Sequence, residues 1–372
     1  MNDALRNACD RIAALARRCD RPIRLMEVCG THTVSIFRSG LRSILPENIR
    51  LISGPGCPVC VTAQRHIDAA IDIASRDGVI LATYGDMLRV PGRHGSLEQQ
   101  RARGASIQVI YSASGALELA EKNPQRTVVF VAVGFETTAP ATAAVVLEAE
   151  RRGLDNLFFL AAHKRVVPAM LALLAPGDVP LDGFLCPGHV SVIVGAEAYR
   201  PIVAGWRKPC VVAGFEPLQI MLGIERLLGQ IVSSDCRLDN VYTVAVTPDG
   251  NTVAQGLIAT VFEPAVAVWR AMGTIPDSGF DWRPKYRRFD ALGRFGVELG
   301  EDDDPPGCRC GEVIQGKLTP GECPLFDRGC SPTRPIGPCM VSSEGTCAAW
   351  YKYNRFPGRA APIAHAPVGG RV

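Results

Sequence analysis

The sequence predicts an α/β protein with two similar parallel-sheet domains, a cleft between them, and a small cysteine-rich domain at the C-terminus. Three observations predict it. Eight short apolar runs alternate with helix-like stretches over the first 300 residues, as in parallel strands buried on both faces and joined by crossover helices. Each run is followed by a turn bearing glycine or proline, and these turns fall into two sets of four that look alike. Beyond Glu301 the periodicity stops, and six cysteines fall between Cys308 and Cys347.

In chain order, Leu5, Ile12, Leu15 and the alanines between them recur at helical spacing, so residues 1–20 open the chain with an amphipathic helix. The first set of strands is Leu25–Val28, Ile49–Ile52, Val79–Ala82 and Ile107–Ile110, leading into CGTHT, GPGCPVC, YGDMLRVPG and SASGALEL. The second is Val128–Val133, Leu157–Ala161, Gly183–Leu185 and Val211–Ala213, leading into GFETTAP, AHKRVVP, CPGHVSVIVG and GFEPLQI. A helix at Glu225–Ile231, a strand at Val241–Val246, a turn at Pro248–Gly250 and a helix around Ala254–Met272 follow. The domains read as 1–122, 123–300 and 301–357, with a disordered tail over 358–372. Functional groups belong on the loops beyond the carboxyl ends of the strands, where open α/β sheets bind ligands.

A chain of 372 residues with 47% apolar and 21% charged residues can bury more than one core and is not compositionally disordered. A net charge of +3 argues against a basic nucleic-acid face. No apolar run reaches the roughly 18 residues needed to cross a bilayer, and residues 1–20 do not resemble a signal peptide. The reading is a cytoplasmic protein. There its 14 cysteines serve as metal ligands, redox groups or core residues rather than structural disulfides.

The C-terminal cysteines are Cys308, Cys310, Cys323, Cys330, Cys339 and Cys347, with no CxxC knuckle of the kind that clamps zinc. Cys310, Cys323, Cys330 and Cys347 stand 12, 6 and 16 intervening residues apart, wide loops that suit an iron–sulfur cubane. A structural zinc site is the other reading. Six thiols exceed four ligands: Cys308 competes with Cys310, and Cys339 is the candidate for a relay thiol.

Cys57-Pro58-Val59-Cys60 follows a strand and opens a helix from about Thr62, so helix amides favour a thiolate and the pair can close a disulfide. Half of a structural metal site is the alternative, but no second CxxC completes it. Val59 occupies the place of the third glycine in a dinucleotide fingerprint, and no Walker A sequence occurs. Cys29 also ends a strand, with Gly30 giving access and His32 able to support a thiolate or bound ligand; a small buried hydrophobe is the plain alternative. Asp86, Glu136, Thr137, His163, Lys164, His189 and Glu216 sit at other strand ends, where each is first a satisfied structural residue. Cys9, Cys19, Cys186, Cys210 and Cys236 read as packing residues, Cys186 least clearly because it abuts Pro187-Gly188-His189.

Seven motifs carry a family resemblance: MEVCGTHT (26–33), GPGCPVC (54–60), TYGDMLRVPG (83–92), GFETTAP (134–140), CPGHVSVIVG (186–195), AGFEP (213–217) and CMVSSEGTCAAWYKY (339–353). In this order they resemble the HypD family of hydrogenase maturation factors along nearly the whole chain. The resemblance implies a scaffold that builds the Fe(CN)2CO unit of NiFe hydrogenases with a HypC-like partner. A HypE-like partner donates the cyanide, and the hydrogenase large subunit receives the unit through HypC. It implies Cys29 as the iron ligand, Cys57 and Cys60 as redox dithiol and candidate metal-binding thiols, and a 4Fe–4S cluster in the C-terminal domain. His32 and Glu136 join the candidate catalytic set. Two other classes stand beside this one: a cluster-dependent disulfide reductase and a zinc-stabilised binding module.

Overall fold

The computed structural model describes residues 3–302 and 304–354. All eight apolar runs form strands: β1 (Ile23–Glu27), β2 (Ile49–Ser53), β3 (Val79–Thr83), β4 (Ile107–Val109), β5 (Thr127–Gly134), β6 (Leu157–His163), β7 (Gly183–Pro187) and β8 (Cys210–Ala213). Three more follow: β9 (Leu238–Asn240), β10 (Phe262–Trp269) and β11 (Gly273–Trp282). The opening helix is Asp3–Ala16, with Ala8, Ile12 and Ala16 buried at helical spacing.

Two parallel sheets result, one in the order β2-β1-β7-β8-β9 and one in the order β4-β3-β5-β6. This corrects the sequential division at residues 122 and 123. The chain lays down β1 and β2, crosses to the second sheet for β3–β6, then returns to add β7 beside β1, with Leu25 opposite Gly183. A strand–turn–helix unit fixes its own conformation but not the sheet edge it joins, because every crossover here is compatible with parallel pairing in either sheet. The two sheets are fully buried at their centres; Phe130, Phe159 and Phe184 are each 0% exposed. Burying a side chain of that size contributes about 1.5–3 kcal/mol.

Two further expectations change. The helix begun at Thr252 ends at Val261, and residues 262–269 form β10 instead of continuing it. Pro264 cannot sit inside a helix, and the stretch pairs antiparallel with β11 through a bulge between Ala265 and Ala267. The expected strand at Val241–Val246 is a turn; β9 lies just before it. Asn240 bends the chain there, accepting from the Tyr242 amide at 2.8 Å and donating to the Val246 carbonyl at 2.9 Å.

The cysteine-rich region exists as short helices, Cys310–Ile314, Pro338–Val341 and Thr346–Tyr353, joined by turns. Its cysteines belong to the same apolar cluster as Cys57, Cys60 and Val61. The region therefore packs on the α/β body rather than building a core of its own. The tail expected over 358–372 lies outside the described residues. Among the described residues no helix is long and apolar enough to cross a membrane.

Candidate functional site

The first sheet brings four motif loops to one edge. β2, β1, β7 and β8 are consecutive neighbours, so GPGCPVC, CGTHT, CPGH and GFEP all emerge from their carboxyl ends side by side. Cys29 is the N-cap of the helix Gly30–Arg38. The Gly30 amide donates to the Gly56 carbonyl at 3.0 Å, and a Cβ on Gly56 would drive into the Cys29 backbone. Only glycine lets the CxxC loop lie that close to Cys29.

Burial pushes the Cys29 thiol up to about 12, and the Glu344 charge adds to it, against hydrogen bonds from the His32 and Thr31 amides and the Thr31 hydroxyl. Cys29 is therefore a protonated, buried thiol that a cation would convert to a thiolate ligand. Its neighbour His32 is buried, with one ring nitrogen engaged and Nδ1 without a partner. The ring is 0% exposed, Nε2 bonds the Gly214 carbonyl at 2.9 Å, and burial lowers it to about 4. His189 is exposed instead, stacked on Phe215 with centroids 3.9 Å apart.

Cys57 and Cys60 form a disulfide with Cα atoms 5.3 Å apart, at the start of a short helix Pro58–Val61 that stops before Gln64–Ala74. They are 5% and 1% exposed. Glu136 follows β5 of the second sheet. It is buried and accepts the Val166 amide at 3.0 Å, at the first residue of the helix Val166–Leu174; burial raises it to about 7. His163 and Lys164 are likewise buried at the end of β6 in the second sheet. Cys186 and Cys210 are 0% exposed, whereas Cys9, Cys19 and Cys236 are half-buried.

All six C-terminal cysteines line one small cavity with Leu325, Phe326 and Met340. The Cys347 amide donates to Cys339 Sγ at 3.2 Å, and the Ile336 amide to Cys330 Sγ at 3.3 Å. A Cβ on Gly337 would stand 2.6 Å from Cys308 Sγ and 3.3 Å from Cys310 Sγ. Cys308 is lowered to about 7, chiefly by its bond with Cys310. Among the described residues no group of three or more His, Cys, Asp or Glu stands ready to hold a metal ion. The thiols instead surround a shared, apolar-walled space. Soft sulfur donors in an apolar pocket, with amides aimed at sulfur, fit an iron–sulfur cluster.

Hydrogen bonds tie the segment between Cys339 and Cys347 to loops of both sheets. The Thr31 hydroxyl donates to Glu344 Oε1 at 2.6 Å. Asp86, at the end of β3, accepts from the Ser343 amide at 2.9 Å and from the hydroxyls of Ser342 and Ser343. The helix bearing Cys339 also packs on Pro58–Val61. Glu344 and Phe215 were not singled out by sequence reasoning. Their only signal is membership of the SSEGT and GFEP motifs, which does not say what they touch.

The sequence model of the family described as "Hydrogenase formation hypA family" (HypD) matches residues 3–354. The chain is 45% identical over 352 residues to the hydrogenase maturation factor HypD of Escherichia coli (strain K12), covering 94% of each. It is 46% identical over 353 residues to HypD of Azotobacter vinelandii, covering 92% of this chain and 93% of that one. Against HypD of Cupriavidus necator the identity is 44% over 357 residues, covering 93% and 94%.

Proposed function

Since the chain belongs to the HypD family of hydrogenase maturation factors, we propose that it is the cytoplasmic scaffold on which, with a HypC-like partner, the Fe(CN)2CO unit is assembled. A HypE-like partner supplies cyanide, and the hydrogenase large subunit receives the product. The iron is cargo, and Cys29 is its ligand on this chain. One observation carries the reading: the Cys29 loop touches both sulfur systems, through Gly30 to Gly56 and through Thr31 to Glu344.

Each residue then has a task. The amides and hydroxyl around Cys29 stabilise the thiolate once iron displaces its proton. Soft thiolate suits iron carrying cyanide and carbon monoxide. His189, exposed beside Phe215 and within the field of Glu344, borders the approach to that sulfur. Cys57 and Cys60 store two electrons as a dithiol and release them on closing the disulfide. Their burial argues against a reductase acting on outside protein thiols and for a partner inside the molecule.

Cys310, Cys323, Cys330 and Cys347 remain the ligand set for a 4Fe–4S cluster, with Cys308 the alternative. The ring of thiols favours a cluster over a single zinc ion. Such a cluster, when bound, supplies electrons singly. Cys339 is the relay thiol because its helix packs on Pro58–Val61.

The test is infrared spectroscopy of the anaerobic chain purified with a HypC-like partner. Bands of iron-bound cyanide and carbon monoxide are expected, and their loss in Cys29→Ala. A colourless, iron-free preparation, or an unchanged spectrum in Cys29→Ala, overturns the assignment.

A further inference from the structure

A cavity of about 950 Å³ lies between the edge strand of the first sheet and the cysteine-rich module. β2 and the stretch leading into it form one wall, and Val313, Leu318 and Trp350 of the module stand in the other. Organic ligands occupy pockets of roughly 300–1,000 Å³, so the space suits a molecule with a carbon body rather than a bare ion. No cysteine is among the described residues that line it, so it belongs to neither sulfur system.

The charge around this space is one-sided. Arg24, Arg42 and Arg50 line it, and exposed Glu47 is the sole carboxylate among the described lining residues. Arg24 and Arg50 are register partners on β1 and β2, so their side chains leave one face of the sheet at adjacent positions. Like charges placed this way oppose each other, a cost that an anion held between them offsets. Asp182 accepts from the Arg24 amide at 2.7 Å, but its carboxylate is paired with Arg21 at 2.6 Å. Arg42 is held in place: its guanidinium carbon lies 4.8 Å from the Phe37 ring centroid and 5.4 Å from that of Trp350, and Nη2 donates to the Leu51 carbonyl. A guanidinium so fixed loses little freedom when it takes up an anion. Glu27 also favours the Arg42 cation, but it is buried, does not line the cavity, and is raised by burial to about 8.

We propose that this cavity binds a small organic anion bearing two or more carboxylate or phosphate groups. Arg24, Arg42 and Arg50 take the oxyanions, since the guanidinium fork matches both groups, and the apolar wall of the module takes the carbon body. Such a ligand touches β2 and the helix Thr346–Tyr353 together, and so fastens the cysteine-rich module to the first sheet. The site stands independently of the iron and cluster assignments above.

The full chain, purified anaerobically, is titrated by calorimetry at fixed ionic strength as wild type, Arg50→Gln and Glu47→Gln. The probes are citrate for carboxylates, glucose bisphosphate for phosphates, and inorganic phosphate as charge without a carbon body. Wild type is expected to bind citrate or glucose bisphosphate about tenfold more tightly than inorganic phosphate, and the tighter of the two names the oxyanion. Arg50→Gln is expected to weaken that probe about tenfold, the loss of one charge-assisted pair. Glu47→Gln removes the opposing carboxylate and is expected to strengthen it several-fold. No binding of either organic probe to wild type at millimolar concentration overturns the proposal. So does inorganic phosphate binding as tightly as both, or an affinity unchanged in Arg50→Gln. Should Arg50→Gln not fold, the exposed Glu47 position decides: unchanged or weaker binding in Glu47→Gln overturns it.

Discussion

The Thr31 hydroxyl donates a 2.6 Å hydrogen bond to Glu344 Oε1, joining the loop of Cys29 to the segment between Cys339 and Cys347. The segment between Cys339 and Cys347 thereby meets the first strand loop, and Glu344 brings a negative charge to the Cys29 thiol. A change in the C-terminal module therefore reaches the Cys29 loop directly.

Replacing Glu344 by Gln removes that charge and keeps an acceptor for Thr31. Cys29 then titrates lower, because a like charge no longer opposes its thiolate. Alkylation of Cys29 in the iron-free chain at mildly alkaline pH is expected to be several-fold faster than in wild type, read by peptide mass spectrometry. An equal or slower rate contradicts the coupling.

Cys57→Ser and Cys60→Ser each abolish the buried disulfide without touching the six-thiol cavity. Each variant is expected to hold as much iron as wild type and keep its visible absorption, yet fail to mature hydrogenase in a complemented deletion strain. Normal maturation by both single variants would falsify the redox assignment.

The strands were legible because each is a short apolar run punctuated by a turn, information wholly local to the run. Which sheet a strand joins is not local: Leu25 meets Gly183 across more than 150 residues. Phe262–Trp269 passed for helix because its alanines and valines suit either state, and only Pro264 and the partner strand decide. At the site, cysteine spacing marked Cys57, Cys60 and the C-terminal six, and a strand-end position beside Gly30 and His32 marked Cys29. Neither could separate His32 and Glu136, which are buried in structural bonds, from His189, which is exposed.

Gly337→Ala tests the cavity directly. Its Cβ would stand 2.6 Å from Cys308 Sγ, so the thiols must move apart or the backbone must shift. Overpacking of this kind costs about 1–3 kcal/mol. Iron per chain is expected to fall at least severalfold, while far-ultraviolet circular dichroism of the two sheets stays near wild type. Full iron content in the variant rules out the cavity as the binding place.

Glu27 gives the protein a stability that depends on pH. It is buried at the end of β1, accepts from Thr33 Oγ1 at 2.6 Å, and is raised to about 8, burial being the dominant cause. A carboxyl with a raised folded value binds its proton more tightly when folded. Its contribution is therefore fully present below the unfolded value near 4.5 and lost as pH rises through 8. Between pH 6 and 8 this costs wild type on the order of 2 kcal/mol. Glu27→Gln carries no such proton and should escape that loss. Denaturant unfolding of both chains at the two pH values, with the Cys57–Cys60 disulfide intact, isolates the term as a difference of differences. A variant that weakens with pH as much as wild type would show that Glu27 is already ionised in the folded protein. Arg42, whose charge favours the ionised carboxylate, would then have outweighed burial.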